Sequence, residues 1–167
     1  MKSISIIGPE SSGKTTLAIL LSKILKGTYI DEYAREYLNK KKQYSILDLD
    51  PIALGQNKKI KKGSKSKNKF LISDTCTLVI EVWSILKFKK VSDLIKKMSN
   101  DEKFDFYLLC KPDIKWHFDP LRENPNNRKK IFNYYENLLN KRKMKFKIIK
   151  GELHNRINMS LDFILNN

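Results

Sequence analysis

Residues 8–15 constrain the fold of this chain more than any other feature of its sequence. They read Gly-Pro-Glu-Ser-Ser-Gly-Lys-Thr and match the pattern G-x-x-x-x-G-K-[ST], whose glycines let a turn wrap a polyphosphate with backbone N–H groups. A short β-branched run precedes them, and leucines and isoleucines recur at helical spacing after them. A turn of this pattern between a strand and a helix is typical of phosphate-binding sites. We therefore predict that residues 8–15 form a phosphate-binding loop, called the phosphate loop below.

The side chains of this loop suggest separate roles. Lys14 is long enough to reach the β- and γ-phosphates, which makes it a candidate catalytic residue. The Thr15 hydroxyl is a candidate ligand for Mg²⁺. We predict that ATP binds to Gly8, Glu10, Ser11, Ser12, Gly13, Lys14, Thr15 and Thr16.

Strand-like runs alternate with helical patterns along the whole chain. The runs lie at 2–8, 28–30, 69–73, 104–110 and 145–149. This alternation predicts an α/β fold in which helices cover both faces of a mostly parallel, five-stranded sheet, as in the three-layer sandwich of P-loop NTPases. We expect a single domain over residues 1–167, with a lid-like segment at about 111–128 that is rich in Pro, Asp and Asn.

Acidic residues follow two of the predicted strands. Asp74 ends the third strand, where a carboxylate of a P-loop fold holds Mg²⁺ or its water; the alternative is a simple helix N-cap. Asp31 and Glu32 follow the second strand, and either carboxylate could accept the proton of an attacking hydroxyl, with Glu32 favoured. The alternative for both is an interaction with the dipole of the helix that follows.

Two arginines of the lid-like segment are further candidates. Arg122 and Arg128 could close over the phosphates and neutralise charge in the transition state. The alternative is a solvated loop whose arginines form surface ion pairs.

The chain carries 34 Lys and Arg against 18 Asp and Glu, a formal net charge of +16. Such a charge attracts polyanions, but the abundance of Lys, Ile and Asn is also typical of A/T-rich coding. We favour this explanation of the charge over a dedicated nucleic-acid site.

No apolar window is long enough for a membrane span or a signal peptide. The two cysteines lack metal-binding spacing and suggest reduced thiols in the cytoplasm.

Several segments together resemble the ribosylnicotinamide kinase domain of bacterial NadR-type NAD salvage proteins. They are residues 8–15, Asp-Glu-Tyr-Ala-Arg-Glu-Tyr at 31–37, Gly-Gln at 55–56, Ser-Asp-Thr at 73–75, Val-Trp-Ser at 82–84, Phe-Tyr-Leu-Leu at 106–109, Pro-Asp-Ile at 112–114 before Trp116, and 119–122. The resemblance runs from about residue 2 to residue 151. It implies a nucleoside- or nucleotide-kinase-like fold of the P-loop, AAA_28-like type, with ATP and Mg²⁺ as cofactors.

The activity that this resemblance implies is phosphorylation of the 5′-hydroxyl of nicotinamide riboside, which gives nicotinamide mononucleotide. The pyridinium ring of that substrate favours aromatic faces, for which Tyr33, Tyr37, Trp83 and Trp116 are candidates. Trp83 could equally pack in the core, and Tyr33 and Tyr37 against the sheet, whereas Trp116 of the lid-like segment could stack on either base. Because Met1 already stands at the first strand, we expect a stand-alone kinase with no nucleotidyltransferase or DNA-binding segment.

The sequence departs from the family at two places. Cys76 stands where a second acid commonly follows Asp-Thr, and Asn57 with a lysine run from Lys58 to Lys69 replaces a segment that often carries an acid.

Two rival functions stay open. One is a P-loop kinase for another nucleoside or nucleotide, and the other is a non-catalytic module that binds ATP or nucleic acid.

Overall fold

The computed structural model describes residues 1–39, 41, 43–119 and 122–167. Its strands are β1 (Lys2–Ile7), β2 (Thr28–Ile30), β3 (Phe70–Asp74), β4 (Phe106–Cys110) and β5 (Phe146–Ile149). They form one sheet in the order β2-β3-β1-β4-β5, and every neighbouring pair is parallel. The predicted α/β fold with a parallel five-stranded sheet is therefore confirmed.

Helices connect the strands. They are α1 (Lys14–Ile24), α2 (Tyr33–Leu38), α3 (Leu49–Gly63), α4 (Thr77–Phe88), α5 (Asp93–Asp101), α6 (Arg128–Lys141) and α7 (Leu153–Leu165). A 3₁₀ turn at Ile46–Asp48, which the sequence patterns did not predict, leads directly into α3. Ser45 caps this turn in a capping box with Asp48, so the helical backbone already begins at Ile46.

The strand register brings the carboxyl ends of the central strands level with one another. Ile6 lies opposite Asp74, and Ile7 lies opposite Leu109. Ligands of parallel α/β sheets bind beyond the carboxyl ends of the strands. The loop after β1 lies between the ends of β3 and β4, and it therefore occupies the centre of this edge.

Apolar side chains pack on both faces of the sheet, which explains the near-continuous hydrophobic strands. On one face, buried residues of α1 and α7 such as Leu21 and Ile164 pack with Ile4 and Ile6 of β1. On the other face, residues of α4 and α6 pack against β3 and β4. A third cluster joins α2, α3, α4 and α5.

The lysine run falls on the second half of α3 and the exposed connection to β3. Lys59 bridges the carboxylates of Asp31 and Glu36 at 2.8 Å each. None of the other lysines between 58 and 69 forms an ion pair with a described residue. Within the described parts of the chain, no helix is both long and apolar enough to cross a bilayer.

Candidate active site

The loop between β1 and α1 adopts a backbone that requires its glycines. Gly8 and Gly13 have φ values of 139° and 82°, in the region that L-residues rarely enter. A Cβ at Gly8 would lie 2.6 Å from the carbonyl oxygen of Cys110. Within the loop, the Ser12 hydroxyl donates to the Pro9 carbonyl oxygen at 2.7 Å. The turn is thus formed by local bonds and by its fit against the end of β4.

The amino end of α1 and the side chain of Lys14 supply positive charge at this loop. Gly13 is the N-cap and provides no side-chain acceptor, so the first-turn amides of α1 are available to an anion. The Lys14 ammonium donates to the carbonyl oxygens of Gly8 at 3.0 Å and Pro9 at 2.8 Å. The Lys14 side chain therefore lies over the loop, where its ammonium can exchange these carbonyl oxygens for the oxygens of a phosphate.

Asp74 lies beside Thr15 at the end of β3. Its side chain is buried, its Oδ1 atom has no hydrogen-bond partner among the described residues, and burial raises the pKa of its carboxyl although a hydrogen bond with Thr15 opposes this. Next to it, the β-branched Thr75 has a φ of 84°, a strained conformation of the kind that concentrates at functional sites. A buried carboxylate oxygen without a partner, next to a hydroxyl, is a place where a cation could bind.

The hydroxyl oxygen of Thr15 and the carboxylate of Asp74 fit Mg²⁺, which prefers oxygen ligands and keeps several waters. Thr15 and Asp74 would hold the ion or its waters. No group of three His, Cys, Asp or Glu side chains that could hold a metal occurs in the described ranges. Phosphate oxygens of a nucleotide would therefore have to complete the coordination.

A cavity of about 260 Å³ extends from the phosphate loop into the cleft between the helices. Glu32 and Arg35 border it near the loop. Its walls are mainly apolar side chains of α2, α4 and α6, and its far end carries charged and aromatic groups. The lining residues beyond the loop include Ala34, Leu38, Val79, Val82, Trp83, Leu86, Lys87, Arg122, Glu123, Asn124, Ile131 and Tyr135.

The structure separates the two candidate bases. Glu32 borders the cavity, and burial raises the pKa of its carboxyl, an effect that Asp74 reinforces and that Lys14 and Arg35 oppose. Asp31 is exposed and pairs with Lys59 of α3. The carboxyl group that faces the phosphate loop therefore belongs to Glu32.

Arg35, which the sequence analysis quoted only as part of a motif, organises this region. Its Nε lies 3.2 Å from the Glu32 carboxylate, and its Nη1 lies 2.9 Å from Asp119 of the lid-like segment. The i, i+3 spacing of Glu32 and Arg35 is a signal that could have predicted the first contact. Nothing local could have predicted the second, because Asp119 is 84 residues away along the chain.

The two predicted arginines occupy different places. Arg122 lines the cavity and donates to the His117 carbonyl oxygen at 2.6 Å. Arg128, the first residue of α6, donates through Nη1 to the carbonyl oxygens of Ser11 and Ile114, both at 3.0 Å. Arg122 thus faces the cavity, whereas Arg128 is bonded to the backbone of the phosphate loop.

Glu10 links the phosphate loop to the lid-like segment. Its Oε2 accepts the backbone N–H groups of Glu123 at 2.9 Å and Asn124 at 2.8 Å. Of that segment, Pro120 and Leu121 lie outside the described residues.

The four predicted aromatic residues do not share one site, although the rings of Tyr33 and Tyr37 lie 6.2 Å apart. Trp83 lines the cavity, and its Nε1 donates to the Tyr44 hydroxyl at 3.1 Å. The Tyr33 ring covers Gly55 of α3, where a Cβ would lie 2.0 Å from the ring. The Tyr37 hydroxyl donates to Asp48, and the Trp116 ring lies 5.6 Å from the Arg128 guanidinium carbon.

The far end of the cavity holds a cluster that the sequence analysis missed. The Lys87 ammonium lies 2.6 Å from both the Tyr44 hydroxyl and the Glu123 carboxylate, and Tyr44 packs edge-on against Trp83 at 5.1 Å. Lys87 follows Trp83 by four residues on α4, a helical spacing that could have linked these two. Tyr135, also missed, projects its buried ring from α6 into the cavity wall.

Comparisons with known proteins agree with this geometry. The AAA_28 family model, described as an AAA domain, matches residues 3–156. The trifunctional NAD biosynthesis/regulator protein NadR of Salmonella typhimurium is 28% identical over 159 residues, which cover 90% of this chain and 38% of that protein. The chain thus spans less than two fifths of that relative.

Two crystal structures share the fold. A NadR protein in complex with NR superposes with a TM-score of 0.81 and 22% identity, over 99% of this chain and 51% of that one. A NadR protein in complex with NAD and AMP-PNP gives a TM-score of 0.81 and 23% identity, over 97% and 49%. The resemblance to NadR-type proteins that the sequence motifs indicated is confirmed.

Proposed function

We propose that this chain, which belongs to the AAA_28 family of AAA domains, is a kinase that uses Mg-ATP to phosphorylate the 5′-hydroxyl of nicotinamide riboside. The observation that carries the proposal is one continuous cavity that joins the phosphate loop, the Glu32 carboxyl and an apolar slot beside Trp83. The likeness to NadR proteins, one of them in complex with NR, supports this choice of acceptor.

The phosphate loop would hold the triphosphate. Its amides and the amino end of α1 would bind the phosphate oxygens, and the Lys14 ammonium would exchange the carbonyl oxygens of Gly8 and Pro9 for phosphate oxygens. A Mg²⁺ ion held by Thr15 and Asp74 would neutralise phosphate charge. Positioning and charge neutralisation supply most of the rate enhancement in phosphoryl transfer.

Glu32 would act as the base. The acceptor oxygen forms a bond to the γ-phosphorus while the bond to the β,γ-bridging oxygen breaks, and the hydroxyl proton passes to the Glu32 carboxylate. A pKa raised by burial makes this carboxylate a stronger proton acceptor than an exposed one. Arg35 would hold the carboxylate in place through its 3.2 Å contact.

Arg122 is the cavity-lining arginine of the lid-like segment, and we assign to it the neutralisation of charge on the transferred group. Its donation to the His117 carbonyl oxygen leaves further guanidinium N–H groups for a phosphate.

The acceptor would occupy the slot between α2, α4 and α6. Apolar walls and the Trp83 ring suit a planar base, and the nearby Glu32 carboxylate suits a cationic ring. Lys87 does not oppose this, because its charge is compensated by Glu123.

The direct test is to incubate the purified chain with Mg-ATP and nicotinamide riboside and identify the product by mass spectrometry. We expect nicotinamide mononucleotide and ADP in equal amounts. A panel of other nucleosides and nucleoside monophosphates is assayed in parallel. Faster phosphorylation of another acceptor would overturn the assigned substrate, and ATP binding without any acceptor-dependent turnover would overturn the assigned activity.

A further inference from the structure

Arg156 of α7 lies under the phosphate loop and belongs to none of the motifs found in the sequence. It is only 2% exposed. Its Nη1 donates to the Ser12 carbonyl oxygen at 2.8 Å, its Nη2 donates to Lys111 O at 3.0 Å, and its Nε donates to Gly151 O at 2.7 Å. One guanidinium thus joins the phosphate loop to the segments that follow β4 and β5.

The charge of this buried group is compensated by Asp113, whose carboxylate pairs with Nη2. Asp113 also accepts the Gly151 backbone N–H at 2.8 Å. A buried arginine is costly unless its donors and its charge are satisfied. Here both conditions are met, so the guanidinium has a fixed position under the loop.

Arg128 makes the same kind of contact one residue earlier in the loop. Its Nη1 donates to the Ser11 carbonyl oxygen at 3.0 Å. Two arginines from different helices therefore hold the carbonyl groups of two consecutive loop residues, Ser11 and Ser12.

Holding a carbonyl oxygen also orients the amide that follows it. A trans peptide unit is planar, with its C=O and N–H pointing in opposite directions. No cis peptide bond occurs in the described residues. With the Ser11 and Ser12 carbonyl groups directed at the two guanidiniums, the N–H groups of Ser12 and Gly13 point the other way, toward the cavity that both residues line.

We propose that Arg156 and Arg128 are positioning residues that orient the Ser12 and Gly13 amides toward the phosphates before nucleotide arrives. The inference rests on the proposed function for its ligand, but it assigns Arg128 to the loop backbone and gives Arg156 a role that no motif indicates. Preorganised amides bind phosphate oxygens without the cost of ordering the loop at each binding event.

The test compares the affinity of Arg156→Met, Arg156→Lys and Arg128→Met for Mg-AMP-PNP by calorimetry, at a temperature where circular dichroism shows each variant folded. Arg142→Met is the matched control. Arg142 is partly buried, pairs with both oxygens of the buried Glu81 at 2.8 and 2.9 Å, and contacts Ser99 rather than the loop. It reports what the loss of an arginine paired with a buried carboxylate does to stability alone.

We expect Arg156→Met to lose about tenfold or more in AMP-PNP affinity and Arg128→Met somewhat less, whereas Arg142→Met stays within about twofold despite a lower melting temperature. Arg156→Lys keeps the charge but not the planar fork, so we expect it to recover only part of the affinity. In amide NMR spectra, the Ser12 and Gly13 resonances should shift strongly on AMP-PNP addition in the wild type and less in Arg156→Lys.

Three outcomes overturn the inference. They are wild-type affinity in Arg156→Met, equal losses in Arg156→Met and Arg142→Met, and full recovery in Arg156→Lys, which would mean that charge alone matters. If Arg156→Met does not fold, Arg156→Lys and Arg128→Met decide the question. Failure of the wild type to bind AMP-PNP would instead contradict the proposed function, so the two failures are distinguishable.

Discussion

The two ends of the cavity are constructed in different ways. The phosphate end is made by consecutive residues, and most of its groups are backbone amides and carbonyls held by a turn and a helix end. The acceptor end is made by side chains of α2, α4, α6 and the lid-like segment, which meet only in the folded protein. A backbone site of the first kind depends on glycines and tolerates few changes, whereas the second kind can change its ligand by changing single side chains.

This contrast predicts where substitutions act. Changes at the phosphate end should abolish transfer with any acceptor. Changes at the acceptor end should alter the choice of acceptor and leave nucleotide binding intact.

The largest expected effect is at Lys14. We expect Lys14→Ala to lower kcat by on the order of 10³-fold with every acceptor, because in the proposed reaction the Lys14 ammonium neutralises charge that develops on the phosphates. Steady-state assays with nicotinamide riboside measure this. Lys23→Ala, an exposed lysine at the end of the same helix, is the control and should behave as wild type. Near-normal turnover in Lys14→Ala would contradict the role of the loop.

Glu32 lies where the two ends meet. We expect Glu32→Gln to lower kcat by on the order of 10²-fold or more while AMP-PNP affinity changes little, since the amide cannot accept the proton. Asp31→Asn is the control, because that carboxylate pairs with Lys59 outside the cavity. In the wild type, kcat should fall as the pH drops through a pKa above the ordinary carboxyl value. Equal effects of the two substitutions would contradict the assignment.

Trp83 tests the acceptor end alone. We expect Trp83→Ala to raise the KM for the nucleoside by about tenfold, because a stacking face is lost, and to leave the KM for ATP unchanged. The nucleoside KM of Trp83→Phe should lie between those of the wild type and Trp83→Ala. Trp116→Ala, which removes a ring beside Arg128, is the comparison. A larger effect of Trp116→Ala on the nucleoside KM would reverse the placement of the acceptor.

The smallest effect is on stability. Burial raises the pKa of Glu32 in the folded chain above its unfolded value, so ionising it costs folding free energy as the pH rises through the folded pKa. Glu32→Gln should therefore raise Tm at pH 7 slightly, by no more than about a few degrees in a chain of this length. The difference should vanish below about pH 4, where the carboxyl is protonated in both states. Thermal melts from about pH 3 to pH 8 measure this difference, and a lower Tm of Glu32→Gln at pH 7 would contradict the prediction.

The sequence was a good guide to the sheet and to the glycine-dependent turn after β1. Residues 8–15, the helix after them and the carboxylate at the end of β3 are local patterns, and each requires only its own neighbours to be interpreted. All five strands were predicted within two residues at either end. The 3₁₀ turn before α3 was missed because one short turn has no periodicity.

The acceptor end was predicted less completely, for a physical reason. Tyr44 and Glu123 meet although they are 79 residues apart, and Arg156 reaches Ser12 across 144 residues. Such contacts follow from how helices pack, and a single sequence does not encode them as spacing. The aromatic candidates show the same difficulty, because Trp83 borders the cavity and Tyr33 covers Gly55 while both belong to similar helical patterns.

Glu123 is attached to both ends of the cavity at once. Its backbone N–H is bonded to Glu10 of the phosphate loop, and its carboxylate is bonded to Lys87 at the acceptor slot. Displacing Glu123 from Lys87 would therefore also strain its bond to Glu10, and the reverse holds as well. In the proposed reaction, we expect this one residue to couple the release of ADP to the release of the phosphorylated nucleoside.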